Sequence, residues 1–145
     1  MYYFTSSDNE INNVVQSLSI DSWYKNLTYK PKIDLIKIDA EGAEFCILQS
    51  LKNLISEQLP ILYIEINKIA LERFNTCIEQ IEIFLNNFGY HYFYNTGPRN
   101  SKNDNYRINR LKHIHHGGNF FDVLAIHHQN TKYSTNKLIS IKYLS

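Results

Sequence analysis

Three carboxylates and one glycine follow an apolar run, and these residue types are the ones best suited to chemistry in this chain. The run 33–38 is followed by Asp39, Glu41 and Glu44, and Gly42 lies between the last two. A carboxylate can take a proton from a hydroxyl group as a general base, and its oxygens can hold a divalent cation. The sequence therefore predicts proton transfer or metal chemistry at the end of this run.

A further carboxylate is predicted to lie beside Asp39. The segments 33–39 and 61–66 are both predicted to be strands, and Glu65 stands near the end of the second. If the two strands are parallel neighbours, about 4.8 Å apart, their carboxyl ends meet at one edge of the sheet. Two close carboxylates raise each other's proton affinity, so one of them could act as a base near neutral pH. Alternatively, Asp39, Glu65 and Asn67 could bind a divalent metal ion through oxygen.

Simpler structural roles are open for the same residues. Lys37 shares a strand face with Asp39, so it could neutralise that carboxylate or tune it. Acidic residues in the first turn of a helix are favoured by the helix dipole, and Glu41 and Glu44 could do no more than that. The residue pattern alone supports both interpretations.

Hydrophobic periodicity predicts strands that alternate with helices. The predicted strands are 33–39, 61–66, 90–94 and 120–127, and the predicted helices are 21–27, 42–58 and 70–88. Apolar residues on both faces of 33–39 predict a strand that is covered on both sides. Gly89 is placed to end the last helix, and 95–119 is predicted to be a polar loop. The segment 138–144 is predicted to be either a strand or an unstructured tail.

This order of elements predicts an α/β domain. Strands joined through helices form right-handed crossovers, which predicts a sheet that is mostly parallel. No helical pattern separates the last two strands, so they are expected to form an antiparallel pair at one edge of the sheet. His127 and His128 follow the last strand and are expected at the surface.

Composition indicates a folded domain without a membrane segment. Hydrophobic residues make up 43 % of the 145 residues, enough for one core. No apolar stretch is long enough to span a bilayer, and the first residues do not resemble a signal peptide, so we expect a cytoplasmic protein that does not contact membranes.

Charge gives little support for a nucleic-acid partner. The net charge is +1. The segment 95–119 does contain five basic residues against Asp104 alone, and such a patch could attract an acidic sugar or nucleic acid. A solvated charged loop is the simpler interpretation, so we do not expect nucleic acid as a partner.

The segment 34–44, Asp-Leu-Ile-Lys-Ile-Asp-Ala-Glu-Gly-Ala-Glu, resembles the central signature of the FkbM-type methyltransferases. Further similar segments are 19–23, 47–48, 60–66, 88–90 and 122–126. The resemblance covers roughly Leu18 to His127. It implies a leader at 1–17, a methyltransferase domain at 18–128 and a C-terminal tail at 129–145.

The resemblance implies a Rossmann-like class I methyltransferase fold with S-adenosylmethionine as cofactor. The implied reaction is methyl transfer to oxygen, on a sugar or a small-molecule hydroxyl. Asp39 and Glu65 would then be the base or metal ligands, and Lys37 would tune Asp39. Glu41 and Gly42 would shape the turn next to the cofactor.

The same resemblance predicts a partial domain. Family members carry a glycine-rich cofactor turn upstream of this signature, and residues 1–17 contain no glycine. We therefore expect a partial Rossmann-like sheet, the C-terminal half of the domain, that is inactive alone. Its open strand edge would pair with a second copy or with the missing N-terminal half. The alternative is a non-catalytic interaction module that pairs this edge with another chain.

Overall fold

The computed structural model describes residues 17–95, 108–114 and 118–130. The strands are β1 (Leu35–Ile38), β2 (Ile61–Asn67), β3 (Tyr90–Asn95), β4 (Ile108–Arg110) and β5 (Phe120–His127). The helices are α1 (Ile20–Lys25), α2 (Glu44–Ser50), α3 (Lys52–Gln58), α4 (Lys68–Arg73) and α5 (Ile78–Asn87). The segment 138–144 and most of the predicted leader and tail lie outside the described residues. In the described part of the chain, no helix has both the length and the apolar character that crossing a bilayer requires.

The sheet has the strand order β1-β2-β5-β3-β4. β1 and β2 are parallel, with Ile38 opposite Ile64, as the sequence predicts. β5 lies between β2 and β3 and is antiparallel to both. The prediction of a mostly parallel sheet is therefore wrong, because among the described residues β1–β2 is the only parallel pair.

The connection that follows β3 explains this mixed sheet. No helix separates β3 from β5 in the described residues, and a parallel return would need such a crossover. Instead, β4 and β5 both follow β3 in the chain and run antiparallel to it. The predicted antiparallel pairing of β3 with β5 is confirmed, but β5 is internal, and the edge is formed by β4 from the segment predicted to be a loop.

Both long predicted helices are divided. The helix predicted at 42–58 is broken at Leu51, where φ is −123°. The helix predicted at 70–88 begins earlier, at Lys68, and is interrupted near Asn75, which adopts a left-handed φ of 53°. Leu51 itself is fully buried, so the apolar stripe continues through the break and periodicity could not reveal it. Gly89 follows α5 with a φ of 72°, as predicted for a helix end.

The main core lies between the helices and one face of the sheet. Leu62, Ile64 and Ile66 of β2 are inaccessible to solvent and belong to one cluster with side chains of α2 to α5. The opposite face of β1 exposes Leu35, at 57 % of its surface, and Lys37. The prediction that this strand is covered on both faces is therefore wrong.

The turn between β1 and α2 sets the positions of Asp39 and Glu41. Glu44 is only 1 % exposed, and the backbone N–H groups of Ala40 and Gly42 both donate to its Oε1 at 3.1 Å. A buried carboxylate that accepts two backbone donors holds a turn firmly. Glu44 therefore has a structural role, which is one of the two interpretations that the sequence left open. It accepts hydrogen bonds from the turn, in addition to its favourable position in the first turn of α2.

Gly42 fits closely against the beginning of α4. Its φ is 113°, a conformation that L side chains rarely adopt. A Cβ at this position would lie 2.2 Å from the carbonyl oxygen of Ala70 and 2.7 Å from the ring of Phe74. Glycine is therefore required here both by the backbone conformation and by the close approach of α4.

The substitution Gly42→Ala is expected to lower the free energy of unfolding by about 2–6 kcal/mol, because it adds backbone strain and a steric overlap. Urea unfolding measures this loss. Glu41→Gly is the matched control, since Glu41 is exposed and has a φ of 49°. It should leave stability unchanged or raise it by up to about 1 kcal/mol. Equal stability of Gly42→Ala and the wild type would show that α4 does not need this close approach.

Candidate functional site

Lys37 and Asp39 form an ion pair on the sheet face that points away from the helices. Lys37 Nζ donates to Asp39 Oδ2 at 2.7 Å, and the two side chains are 56 % and 37 % exposed. Strand alternation places them on one face, as predicted. Because both groups are solvated, the pair adds little to folding stability. Its consequence is local, since the ammonium group orients the carboxylate.

Glu65 and Asp122 extend this pair across three strands. The parallel register of β1 with β2, continued by one residue, brings Asp39 alongside Glu65. On the other side of β2, Glu65 lies opposite Asp122 of β5. The pKa of Lys37 is raised first by the hydrogen bond to Asp39 and the charge of Asp39, and then by the charges of Glu65 and Asp122, while desolvation acts in the opposite direction. These four residues, Lys37, Asp39, Glu65 and Asp122, are called the carboxylate row below.

Asp122 is the member of the carboxylate row that the sequence analysis missed. It stands near the start of the strand predicted at 120–127. The sequence predicts that strand in an antiparallel pair with 90–94 at one edge of the sheet. The missing signal was the position of β5 next to β2, which puts Asp122 opposite Glu65.

Asn67 connects the β1–α2 turn to the end of β2. Its Nδ2 donates to Glu41 Oε2 at 3.3 Å, and its Oδ1 accepts from the backbone N–H of Ala70 at 3.2 Å, which caps α4. The amide oxygen that would bind a metal ion thus serves as a helix cap. Within the described ranges, no three His, Cys, Asp or Glu side chains are grouped so that they could hold a metal ion. The predicted metal role of Asp39, Glu65 and Asn67 gains no support from this geometry.

The turn residues Glu41 and Gly42 differ in what they offer to a ligand. Glu41 is exposed and could accept hydrogen bonds from hydroxyl or amino groups. Gly42 is buried, and the place of a side chain is taken by the carbonyl of Ala70 and the ring of Phe74. Gly42 therefore shapes the turn, as predicted, whereas Glu41 is the residue that faces outward.

The carboxylate row and Glu41 together form an acidic rim at the carboxyl ends of β1 and β2. The charges of its three strand carboxylates all act on the ammonium group of Lys37. A rim of this kind attracts ligands that carry hydrogen-bond donors or positive charge. A carboxylate oriented by a lysine can also accept a proton from a bound hydroxyl group.

A pocket of about 150 Å³ lies at the other end of the sheet. It is lined by residues that precede β1, lie at the end of α3 and follow β5: Lys32, Ile33, Asp34, Gln58, Leu59, Gln129 and Asn130. None of the predicted site residues lines it. The site predicted from the sequence is therefore an open rim rather than a cavity in the described structure.

Comparison with known families identifies the segment that builds this rim. The model of the methyltransferase FkbM domain matches residues 2–92, which begin inside the predicted leader and end in β3. No curated protein and no solved structure matches the chain. The matched region includes β1, the β1–α2 turn and β2, and thus most of the carboxylate row. Because it spans more than half of the 145 residues, the chain belongs to the FkbM methyltransferase domain family.

Proposed function

We propose that this protein is a methyltransferase that uses S-adenosylmethionine and transfers the methyl group to oxygen, on a sugar or another small-molecule hydroxyl. Membership of the FkbM domain family makes methyl transfer the reaction class. The observation that supports the oxygen acceptor is the Lys37–Asp39 pair, in which an ammonium group at 2.7 Å orients a half-exposed carboxylate. Such a carboxylate can receive the proton that a hydroxyl group loses on methylation.

Among the described residues, those of the rim suit the polar part of S-adenosylmethionine better than they suit the whole molecule. Glu41 is exposed and points its carboxylate toward Asn67, where a ribose hydroxyl or an amino group could donate to it. Gly42 is already packed against α4, so it supplies the shape of the turn and not a contact surface. When bound, S-adenosylmethionine supplies a methyl group on a positively charged sulfur.

The residues of the carboxylate row divide the remaining work. Asp39 accepts the proton from the acceptor hydroxyl. Lys37 keeps that carboxylate oriented, and its raised pKa keeps the lysine in its charged form. Glu65 and Asp122 keep the rim negative on the adjacent strands, which favours a positively charged ligand over an anionic one.

The substitution Asp39→Asn tests the proton acceptor. It keeps the shape of the side chain but removes its basicity, and kcat should fall by about 10²-fold or more. Transfer of a radiolabelled methyl group to a panel of sugars and hydroxylated small molecules measures this change. Asp34→Asn is the matched control, because Asp34 precedes β1 at the opposite end of the strand, and it should keep wild-type turnover. Equal turnover of Asp39→Asn and the wild type would remove Asp39 from the mechanism.

The substitution Glu41→Gln tests the cofactor contact. Loss of a charge-assisted hydrogen bond of about 1.5 kcal/mol should weaken S-adenosylmethionine binding by about tenfold. Isothermal titration of the full chain with S-adenosylmethionine measures the dissociation constant. Glu57→Gln in α3 is the control, since this exposed carboxylate lies away from the rim. If the wild-type chain does not bind the cofactor, the proposed use of S-adenosylmethionine by this chain is wrong.

A further inference from the structure

Three imidazole rings gather where β5 ends, away from the carboxylate row. The rings of His127 and His128 are stacked with centroids 4.4 Å apart, and His91 lies 6.4 Å from His128. The sequence predicts His127 at the surface, but it is only 7 % exposed. The prediction is wrong because β5 continues to His127, which is paired with Tyr90 of β3 and packs edge-on against that buried ring.

The ring of His127 is held in its neutral form by the groups around it. Its Nδ1 accepts a hydrogen bond from the backbone N–H of Gln129 at 3.1 Å. A hydrogen bond between the ring and the backbone of Phe88 acts in the opposite direction, because it raises the pKa of His127, but burial outweighs it. A proton added at Nδ1 would point at the N–H of Gln129. Protonation therefore replaces an attraction by a contact between two donors.

His91 is held in the same way. Nη2 of Arg110 lies 2.9 Å from Nδ1 and 3.3 Å from Nε2 of this ring. In the neutral ring, the nitrogen that lacks a proton can accept a hydrogen bond from the guanidinium group. In the protonated ring, neither nitrogen can accept one. The contact between Arg110 and His91 is therefore favourable only while the imidazole ring is uncharged.

The turn after β5 depends on these contacts. The backbone N–H of His128 donates to the carbonyl of Gly89 at 3.1 Å, and that of Asn130 donates to the carbonyl of His127 at 2.9 Å. The ring of His128 also bonds to the carbonyl of Gly89 at 2.9 Å. The fit is tight, since a Cβ at Gly89 would lie 2.7 Å from His128 Nδ1 and 3.1 Å from His127 Nε2. Residues 127–130 and this fit around Gly89 are called the histidine latch below.

The histidine latch forms one wall of the pocket at this end of the sheet. Gln129 and Asn130 line that pocket, and Asn130 Nδ2 donates to the carbonyl of Leu59 at 3.2 Å. Lys32 and Asp34, 4.0 Å apart, line the pocket from the segment before β1. Residues of the latch and of the segment before β1 therefore line the same pocket.

We propose that the histidine latch is an acid-sensitive switch, in which protonation of His127 releases Gln129 and opens the pocket between residues 32–34 and 129–130. The contacts described above support this switch, and it does not rest on the proposed methyltransferase activity. The charged groups that act on His127 are His128 and His91, and those that act on His91 are Arg110 and His128. All of them are bases. Tyr90, edge-on to His127 at 5.3 Å, is the other titratable neighbour, and burial raises its pKa, so it stays neutral.

The direction of the pH effect follows from the lowered pKa values of both rings. Burial is the main cause of the lowered pKa of His127 and of His91, and the neighbouring bases add to it, while the backbone of Phe88 partly opposes it at His127. In the unfolded or opened chain each ring takes its proton near pH 6.5. Closure is therefore fully stable above about pH 6.5 and weakens as the pH falls from there toward the lowered pKa of the folded protein, by at most about tenfold per pH unit for each ring.

Nuclear magnetic resonance of the full chain between pH 7.5 and 5.0 tests this proposal. The ring nitrogens of His127 report its protonation, and amide exchange reports the closure of the latch. As His127 gains its proton, the protection factors of the amides of His128, Gln129 and Asn130 should fall together. The amide of Val123, inside β5, should keep its protection. Protonation of His127 without any loss of protection, or no protonation down to pH 5.0, would overturn the proposal.

The substitution His127→Asn assigns the effect to one ring. The asparagine oxygen can take the place of Nδ1 as the acceptor for Gln129 but cannot be protonated, so the acid-induced loss of protection should disappear. His113→Asn is the control, because this exposed ring bonds to Glu82 at 2.7 Å, away from the latch; it should respond to acid as the wild type does. A full acid response in His127→Asn would contradict the proposal. If that variant does not fold, the wild-type titration still decides.

Discussion

The buried carboxylate of Glu44 is the interaction on which the site depends. It reaches back across the β1–α2 turn and accepts from the backbone of Ala40 and Gly42. Because these two residues flank Glu41 and follow Asp39, their positions set the direction of both outward carboxylates. The turn also brings Gly42 against the first turn of α4. One buried side chain thus connects the end of β1, the start of α2 and the packing of α4.

A second constraint comes from the pairing of like charges across the sheet. Glu65 and Asp122 lie directly opposite each other on β2 and β5, and such a pair is unfavourable by itself. Lys37 is on the same sheet face, and both charges act on it. The lysine therefore offsets a repulsion that β2 and β5 create, besides orienting Asp39. We expect its charge to matter for the whole row and not only for its nearest partner.

The parts of this structure that the sequence predicted are those set by local chemistry. β1, β2 and β5 are short apolar runs, and Pro60 separates α3 from β2, so their existence and approximate bounds could be read directly. The proximity of Asp39 to Glu65 followed from one parallel pair. The helix breaks could not be predicted in this way, because Leu51 continues the buried stripe of its helix. The place of β5 depends on long-range pairing, which periodicity does not encode, and that is why Asp122 and the burial of His127 were missed.

β5 contributes Asp122 to the carboxylate row and His127 to the histidine latch, but these two residues are far enough apart for the latch to change without the row. Asp122 and His127 are five residues apart on one strand, which is about 17 Å at the rise of an antiparallel strand. Asp122 is paired with β2, and the described pairing of β5 with β2 ends at Ala125. His127 lies beyond this point and is paired with β3. Release of Gln129 at the latch would affect the contacts around Gly89, at the end of β5 that pairs with β3. The Glu65–Asp122 pairing lies within the part of β5 that β2 holds, so the acidic rim can keep its geometry while the far end of the strand responds to protons.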